Sequence, residues 1–297
     1  MIPSRAVISV VVVNWNAGRA LDRCLASLEA DAAAGTEVVL VDNASTDDST
    51  AAATRARPWV RVVASPANVG FARGANTGAA TARGDVLVFL NPDAVVEPGA
   101  LARLCDALAA DPRAGIAGGG LRDEDGAWQP AAARFGVFAH LLGDTTLGRL
   151  RERRRPDVHA VDWVYGTFVA VRRPVFDALG GFDGSYFLYG EDLDLCHRAH
   201  ALGWRTLHVP AARATHARNV SATTRFGLGR DAAVVEGELR FYARRVGAGA
   251  ARRYRVIAAA KFGAKALLAR LAGRTTTAER AARVVRVCLG ARAETLA

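Results

Sequence analysis

The sequence predicts an α/β fold in which a parallel sheet is wound with helices on both faces. Three observations carry this reading. Short apolar runs rich in Val, Ile and Leu recur through the first 120 residues, and three of them end at Asn or Asp. Between the runs lie segments with apolar residues at helical spacing. The connections are long enough for crossover helices, so successive strands run parallel.

Taken in order, Ile8–Val13 is the first predicted strand, apolar on both faces apart from Ser9. Gly18–Ala30 is predicted as a helix, with Leu21, Cys24, Leu25 and Leu28 on one side. Val38–Val41 is the second strand, and Ser45-Thr46-Asp47-Asp48 reads as the N-terminus of the next helix. Val60–Val63, a helix over Phe71–Ala82 and the strand Val86–Leu90 follow. That strand must stop at Asn91-Pro92-Asp93, because proline cannot donate to a sheet ladder. A helix over Pro98–Ala110 and a strand at Gly115–Ala117 continue the alternation.

Residues 121–160 are less regular and include a basic run at 149–155. Trp163–Val171 is predicted as one strand, and Pro174–Leu179 as a short helix closed by Gly180-Gly181. A helix starts near Glu191 and ends at Gly203, and Thr206–Val209 is the last strand. Beyond residue 226 only helical patterns remain, so the division is an α/β domain over 1–225 and a helical extension over 226–297.

Charge separates the same two parts. Residues 240–297 hold 14 Arg and Lys against Glu279 and Glu294, a balance of +12. Residues 1–239 hold 25 against 27 acids, a balance of −2. The basic character belongs to the tail, so nucleic acid is not an expected partner of the whole protein. The stretch 252–273 mixes basic residues with Ala, Leu, Ile and Phe. It suits either a helix lying on an anionic membrane surface or a helix packed on the catalytic part with a solvated basic edge. Of the 39 basic residues 37 are Arg, which reads as compositional bias.

Met1–Arg5 leads straight into the first strand without a small-residue cleavage site, so no signal peptide is expected. No apolar run is long enough to span a bilayer. Cys24, Cys105, Cys196 and Cys288 are far apart and fit reduced thiols in a cytoplasmic protein.

Ligands of wound sheets bind beyond the carboxyl ends of the strands. Asn14, Asp42-Asn43 and Asn91-Pro92-Asp93 all stand at such ends, where turns and helix caps are the plainer alternatives. Glu191-Asp192 opens a helix, a place where carboxylates complement the dipole. The approach to it, Tyr186-Phe187-Leu188-Tyr189-Gly190, is aromatic and apolar, unlike a solvated cap.

Four stretches resemble one family: "SVVVVNWN" (9–16), "VVLVDNASTDDS" (38–49), "NVGFARGANTGAATARGDVLVFLNPDA" (68–94) and "GGFDGSYFLYGEDLDLCHRAHALGW" (180–204). In this order, over roughly residues 7–220, they resemble the inverting family-2 glycosyltransferases, most closely the bacterial rhamnosyltransferase-like subgroup. The resemblance implies a GT-A fold, a Rossmann-like mixed sheet with helices on both faces. It implies transfer from a dTDP- or UDP-sugar, with dTDP-rhamnose as first choice, to a saccharide acceptor linked to polyprenyl diphosphate. The setting would be cell-wall or O-antigen synthesis, at the inner face of the plasma membrane. UDP-galactofuranose or UDP-GlcNAc as donor, or a non-catalytic nucleotide- or glycan-binding relative, are the alternatives.

Site roles follow from the same resemblance. Asp93 matches the last aspartate of the metal-binding DXD motif, with Asn91 at its first position. His216 matches the histidine that completes the site for Mg²⁺ or Mn²⁺. One carboxylate, one amide and one imidazole hold such a cation weakly, so the donor diphosphate must supply further oxygens. Asp192 matches the general base, with Glu191 as its neighbour; Asp194 is structural. Asp42 matches the acceptor of the pyrimidine N3–H, while Asn14, Asn43, Arg73 and Asn76 flank the nucleotide.

Overall fold

The computed structural model describes residues 7–55, 57–136, 155–217 and 227–293. Most of the basic run at 149–155 falls outside them. Strands and helices are numbered separately in chain order.

β1 (Ile8–Asn14) pairs in parallel with β2 (Glu37–Asp42) on one side and β4 (Val86–Leu90) on the other. β3 (Val60–Ala64) extends the same parallel half beyond β2. β11 (Phe168–Arg172) then enters antiparallel between β4 and β6 (Ala114–Arg122), which makes the sheet mixed. β12 (Arg205–His216) lies parallel to β6, and β5 (Ala94–Val96) closes the edge antiparallel to β12. The full spatial order is β3-β2-β1-β4-β11-β6-β12-β5.

Strand alternation divides the core into two layers. Val10, Val12, Val38 and Leu40 pack with α1 (Arg19–Ala26) and α5 (Ala100–Ala110). Val11, Val13, Val39 and Val41 face α4 (Phe71–Thr81). There α4 lies close to the sheet because Gly74 and Gly78 turn toward it. A Cβ on Gly74 would stand 2.9 Å from Val13 Cγ1, and one on Gly78 would meet Val11 and Val41.

Several boundaries differ from the sequence expectation; the strand expected at Gly115–Ala117, for one, runs to Arg122. The helix expected over Gly18–Ala30 is two, α1 and α2 (Glu29–Ala33). At the break, the Ser27 hydroxyl donates to the Cys24 carbonyl at 2.7 Å and accepts the Val96 N–H at 3.2 Å. The expected strand Trp163–Val171 is β10 (Trp163–Val164) and β11, separated by Tyr165-Gly166-Thr167. The last strand runs on past Val209 to His216, with an irregularity between Val209 and Arg213 at Pro210, which has no N–H for the ladder.

The C-terminal helices are α8 (Arg230–Phe241), α9 (Ala248–Leu271) and α10 (Thr275–Cys288). Their Val235, Leu239, Phe241 and Tyr254, with Tyr242 in the π-helical turn after α8, share one core cluster with Leu193, Leu195 and Cys196 of α7 (Glu191–Ala201). The Tyr242 and Tyr254 rings stack at 4.9 Å, and the Tyr242 hydroxyl donates to the Phe135 carbonyl at 2.9 Å. Arg245 reaches Asp194 at 2.5 Å and Asp183 at 3.0 Å, and Arg244 reaches Asp183 at 3.1 Å. Arg240 donates to the Ser185 carbonyl at 2.5 Å. Three cations of the tail thus bind the segment leading into α7. Among the described residues no helix is long and apolar enough to cross a membrane. The outer side of α9 nevertheless exposes Val256, Leu267, Leu268 and Leu271 among Arg252, Arg253, Arg255 and Arg270.

Candidate active site

Strand register explains how residues far apart in sequence meet. β5 follows directly on Asn91-Pro92-Asp93, and its pairing sets Ala94 opposite His216. The Ala217 N–H donates to the Asp93 carbonyl at 3.1 Å. Asp93 Oδ1 and His216 Nε2 consequently stand 3.3 Å apart, with both side chains buried.

The tautomer of His216 is set by a residue the sequence reading did not single out. Gln129, on β7 (Trp128–Gln129), donates from Nε2 to the His216 carbonyl at 2.7 Å and to Asp123 Oδ1 at 2.5 Å. Its Oε1 is therefore an acceptor, and it lies 3.1 Å from His216 Nδ1. A neutral imidazole must carry its proton on Nδ1, which leaves a lone pair on Nε2. Nε2 is buried without a hydrogen-bond partner and faces the Asp93 carboxylate. Two buried acceptors at this separation fit a shared cation, with the outer nitrogen of the histidine held as in metal sites generally. Among the described residues there is no cluster of three or more His, Cys, Asp and Glu that would enclose a metal. A cation held here by Asp93 and His216 would need further oxygens from a bound ligand.

His216 and Asn91 line a cavity of about 510 Å³ whose other walls include Glu191 and Asp192. The backbone before these carboxylates is unusual. Tyr189 has φ +71° and Gly190 has φ +92°, two left-handed residues in succession, which turn the chain into the first turn of α7. A left-handed non-glycine residue stores strain that packing must offset. The packing is visible: Phe187 accepts the Phe71 N–H at 2.7 Å, and Gly237 of α8 sits directly against the Tyr189 carbonyl.

Asp192 is held at both oxygens. Oδ2 accepts the Gly166 N–H at 2.8 Å and Oδ1 accepts the Leu193 N–H at 2.7 Å. Gly166 belongs to the break between β10 and β11, and a Cβ there would stand 3.5 Å from Oδ2. Burial pushes the Asp192 carboxyl up, and these two N–H donors pull it partly back. Glu191 is more buried, and its Oε2 has no hydrogen-bond partner. Burial first, and then the charge on Asp192, raise its carboxyl well above the ordinary carboxylate range. Burial and the neighbouring carboxylate thus disfavour a second negative charge in the pair and hold the Glu191 proton to higher pH than an ordinary carboxylate would keep it. Asp194 is fully buried between Arg198 at 2.6 Å and Arg245 at 2.5 Å, a structural tie.

The remaining candidates lie at the strand ends of the parallel half. Asp42 is partly exposed and accepts the Ser45 N–H at 3.1 Å. Asn14 is fully buried, and its amide donates to Ser45, Ser49 and Thr50 at 2.8–3.1 Å. Asn43 donates to Asn68 Oδ1 at 3.0 Å and accepts the Val69 N–H at 3.1 Å. Asn76 makes a two-way bond with the Phe182 backbone, at 2.8 and 2.9 Å, and Arg73 donates to the Gly184 carbonyl at 2.9 Å. Asn14, Asn43, Arg73 and Asn76 therefore hold neighbouring loops, whereas Asn91, Glu191, Asp192 and His216 line the cavity.

Comparison with known proteins bears on the family and the fold. The family model "Glycosyl transferase family 2" matches residues 9–180. N-acetylglucosaminyl-diphospho-decaprenol L-rhamnosyltransferase of Mycobacterium tuberculosis is 36% identical over 233 residues, covering 71% of this chain and 76% of that protein. Rhamnosyltransferase WbbL of Escherichia coli K12 is 48% identical over 56 residues, 19% of this chain and 21% of that one. Among solved structures, a mannosyltransferase from Pyrobaculum calidifontis in complex with GDP-Man and Mn²⁺ superposes with a TM-score of 0.64 at 20% identity. It covers 97% of this chain and 88% of its own. The mixed sheet with helices on both faces is the GT-A fold. The chain belongs to glycosyl transferase family 2, as a glycosyltransferase of the rhamnosyltransferase-like group.

Proposed function

We infer that the protein transfers rhamnose, with inversion, from dTDP-rhamnose to a saccharide carried on polyprenyl diphosphate. An N-acetylglucosaminyl diphosphate lipid in cell-wall synthesis is the acceptor nearest to its relatives. The observation that carries this reading is the single cavity that joins His216 and Asn91, beside Asp93, to the held carboxylate of Asp192. The first pair suits a diphosphate leaving group, and the second suits an attacking hydroxyl.

Asp93 and His216 would hold Mg²⁺ or Mn²⁺, which would supply positive charge to the departing diphosphate. Asp192 takes the proton of the acceptor hydroxyl as that oxygen attacks the anomeric carbon from the face opposite the nucleotide. Its raised pKa narrows the gap to the hydroxyl, which makes it a better base than an exposed aspartate. The N–H groups of Gly166 and Leu193 keep the carboxylate in one orientation throughout. Protonated Glu191 spares the site a second negative charge and leaves an O–H donor for the acceptor. Asp42 receives the pyrimidine at the end of β2, and Asn91 faces the diphosphate. Asn14, Asn43, Arg73 and Asn76 shape that face through the loops they hold.

Residues 1–225 form the catalytic domain and 226–297 an extension docked on it. The exposed apolar and cationic residues of α9 support work at an anionic membrane surface, the cytoplasmic one where such lipids are loaded.

A screen of nucleotide sugars by thermal unfolding, with and without Mn²⁺ or Mg²⁺, tests the donor. A ligand present at a hundred times its Kd adds about 2.7 kcal/mol, which a melting curve resolves. The expected result is metal-dependent stabilisation by dTDP-rhamnose above that by UDP-galactofuranose or UDP-GlcNAc. Stronger stabilisation by either UDP-sugar would replace the donor and keep the site.

A further inference from the structure

The catalytic cavity has a wall supplied by α9, with Tyr254, Lys261, Phe262 and Lys265. Lys261 and Lys265 are the only lysines in a chain of 39 basic residues. They lie one helical turn apart on one side of α9, and both ammonium groups approach the same ring, 5.7 and 5.6 Å from the Phe262 centroid. The opposing elements, α7 and α8, bring Glu191, Asp192, Asp231 and Glu238 to the cavity, together with Arg230. The α9 wall of the cavity thus contributes two ammonium groups. The same helix continues outward into Leu267, Leu268 and Leu271, which are 60%, 66% and 77% exposed. Helical geometry puts Ala260, Ala264, Leu267, Leu268 and Leu271 on one stripe next to the lysines.

We propose that Lys261 and Lys265 form the subsite for the acceptor's diphosphate, with the α9 stripe as the path for its isoprenoid chain. This rests on the reading of the acceptor as a lipid-linked diphosphate. An ammonium is a compact point charge with three donors on a flexible stem, suited to phosphate oxygens whose position varies. With the diphosphate at the lysines and the chain running outward along α9, the saccharide points inward to Asp192. The donor diphosphate has its own place at Asp93 and His216, so the cavity accommodates two diphosphates in distinct chemical surroundings, one at metal ligands and one at ammonium groups.

The test measures binding of farnesyl diphosphate and farnesol to the full chain by calorimetry, in EDTA, so that the metal-dependent donor site does not contribute. Wild type is compared with the K261Q/K265Q double variant, both substitutions lying on an exposed helix face. Charge-assisted contacts lead to an expected preference of wild type for the diphosphate of at least about tenfold in Kd. The double variant should bind the two compounds nearly equally, with binding of dTDP in Mn²⁺ unchanged as the check on folding. A wild type without preference, or a double variant that keeps it, overturns the proposal. So does a variant that keeps the preference yet no longer binds phosphatidylglycerol vesicles, since the lysines would then serve membrane headgroups. A lysine-dependent preference in a protein that transfers no sugar to any diphosphate-linked acceptor leaves the subsite standing and removes the functional reading. Transfer unaffected by the double variant does the reverse.

Discussion

Replacing Asp192 with Asn separates its two roles, as base and as a fixed acceptor of backbone N–H groups. In the wild type each carboxylate oxygen accepts one N–H, from Gly166 at 2.8 Å and Leu193 at 2.7 Å. Asn has one carbonyl oxygen, so one of the two N–H groups must turn to water or face the amide NH₂. Asp192 is only partly buried, so water from the cavity can serve, and the stability cost should be on the order of 1 kcal/mol. The kinetic cost is larger. Loss of a general base takes about 10²–10⁴ from the rate, or about 3–5 kcal/mol of barrier. Donor affinity should not change, because the residues proposed for the donor, Asp42, Asn91, Asp93 and His216, lie at the ends of β2, β4 and β12 and not on α7. The assay compares kcat at saturating donor and acceptor with the Kd of dTDP-rhamnose in the presence of Mn²⁺. A variant within threefold of wild-type kcat would reduce Asp192 to a helix cap. Equal losses in kcat and donor affinity would mean that the substitution collapses the cavity.

Other perturbations test the neighbouring claims. Glu191→Gln should keep the acid limb of the kcat/KM profile, which belongs to Asp192 and lies above the ordinary carboxylate pKa of about 4. The same variant bears on stability, because Glu191 has a raised pKa in the folded state. Its contribution is present below the ordinary carboxylate range and is lost as pH rises toward the raised value. Wild type should therefore melt lower at alkaline than at mildly acidic pH, and Glu191→Gln should flatten that slope; parallel slopes would refute the assignment. Gln129→Ala should weaken Mn²⁺ binding about 10- to 100-fold, followed by electron paramagnetic resonance with saturating dTDP, by freeing the His216 ring. An unchanged affinity would remove His216 from the metal shell. Gly237→Ala places a methyl group against the Tyr189 carbonyl and should cost about 1–3 kcal/mol by overpacking, with a raised acceptor KM. Liposome co-sedimentation should show binding to anionic vesicles that raised salt releases; protein left in the supernatant at low salt would mean that α9 faces water.

The parallel half of the fold was legible because its signals are local. The runs at 8–13, 38–41 and 86–90 appear as strands within a residue or two of their predicted ends. Asp93, Asp192 and His216 were singled out by motif resemblance. What the residues alone did not show depends on long-range register. The pairing of β5 with β12 places His216 beside Asp93, and no local pattern encodes it. Gln129 sits on a two-residue strand, too short to give a periodic signal. Gly166 had one available signal, a glycine inside an apparent strand, which marks a break or a close approach. Asn14, Asn43 and Asn76 illustrate the opposite difficulty. A polar residue at a strand end or on a flanking helix looks the same in sequence whether it meets a ligand or ties a loop, and these three hold loops through hydrogen bonds that sequence does not reveal. The tail's charge was visible from counting. That Arg240, Arg244 and Arg245 bind the approach to α7 follows only from tertiary packing.

If one cavity joins a metal-assisted donor site to a carboxylate base, the chain should transfer rhamnose with inversion. The direct measurement is incubation of the full chain with labelled dTDP-rhamnose and a short-chain isoprenyl-diphosphate N-acetylglucosamine, with Mn²⁺ or with chelator. The anomeric configuration of the product is then read by NMR. A rhamnosylated lipid of inverted configuration should form with metal and be lost with chelator or with Asp192→Asn. A retained configuration, or full activity in chelator, would contradict this mechanism.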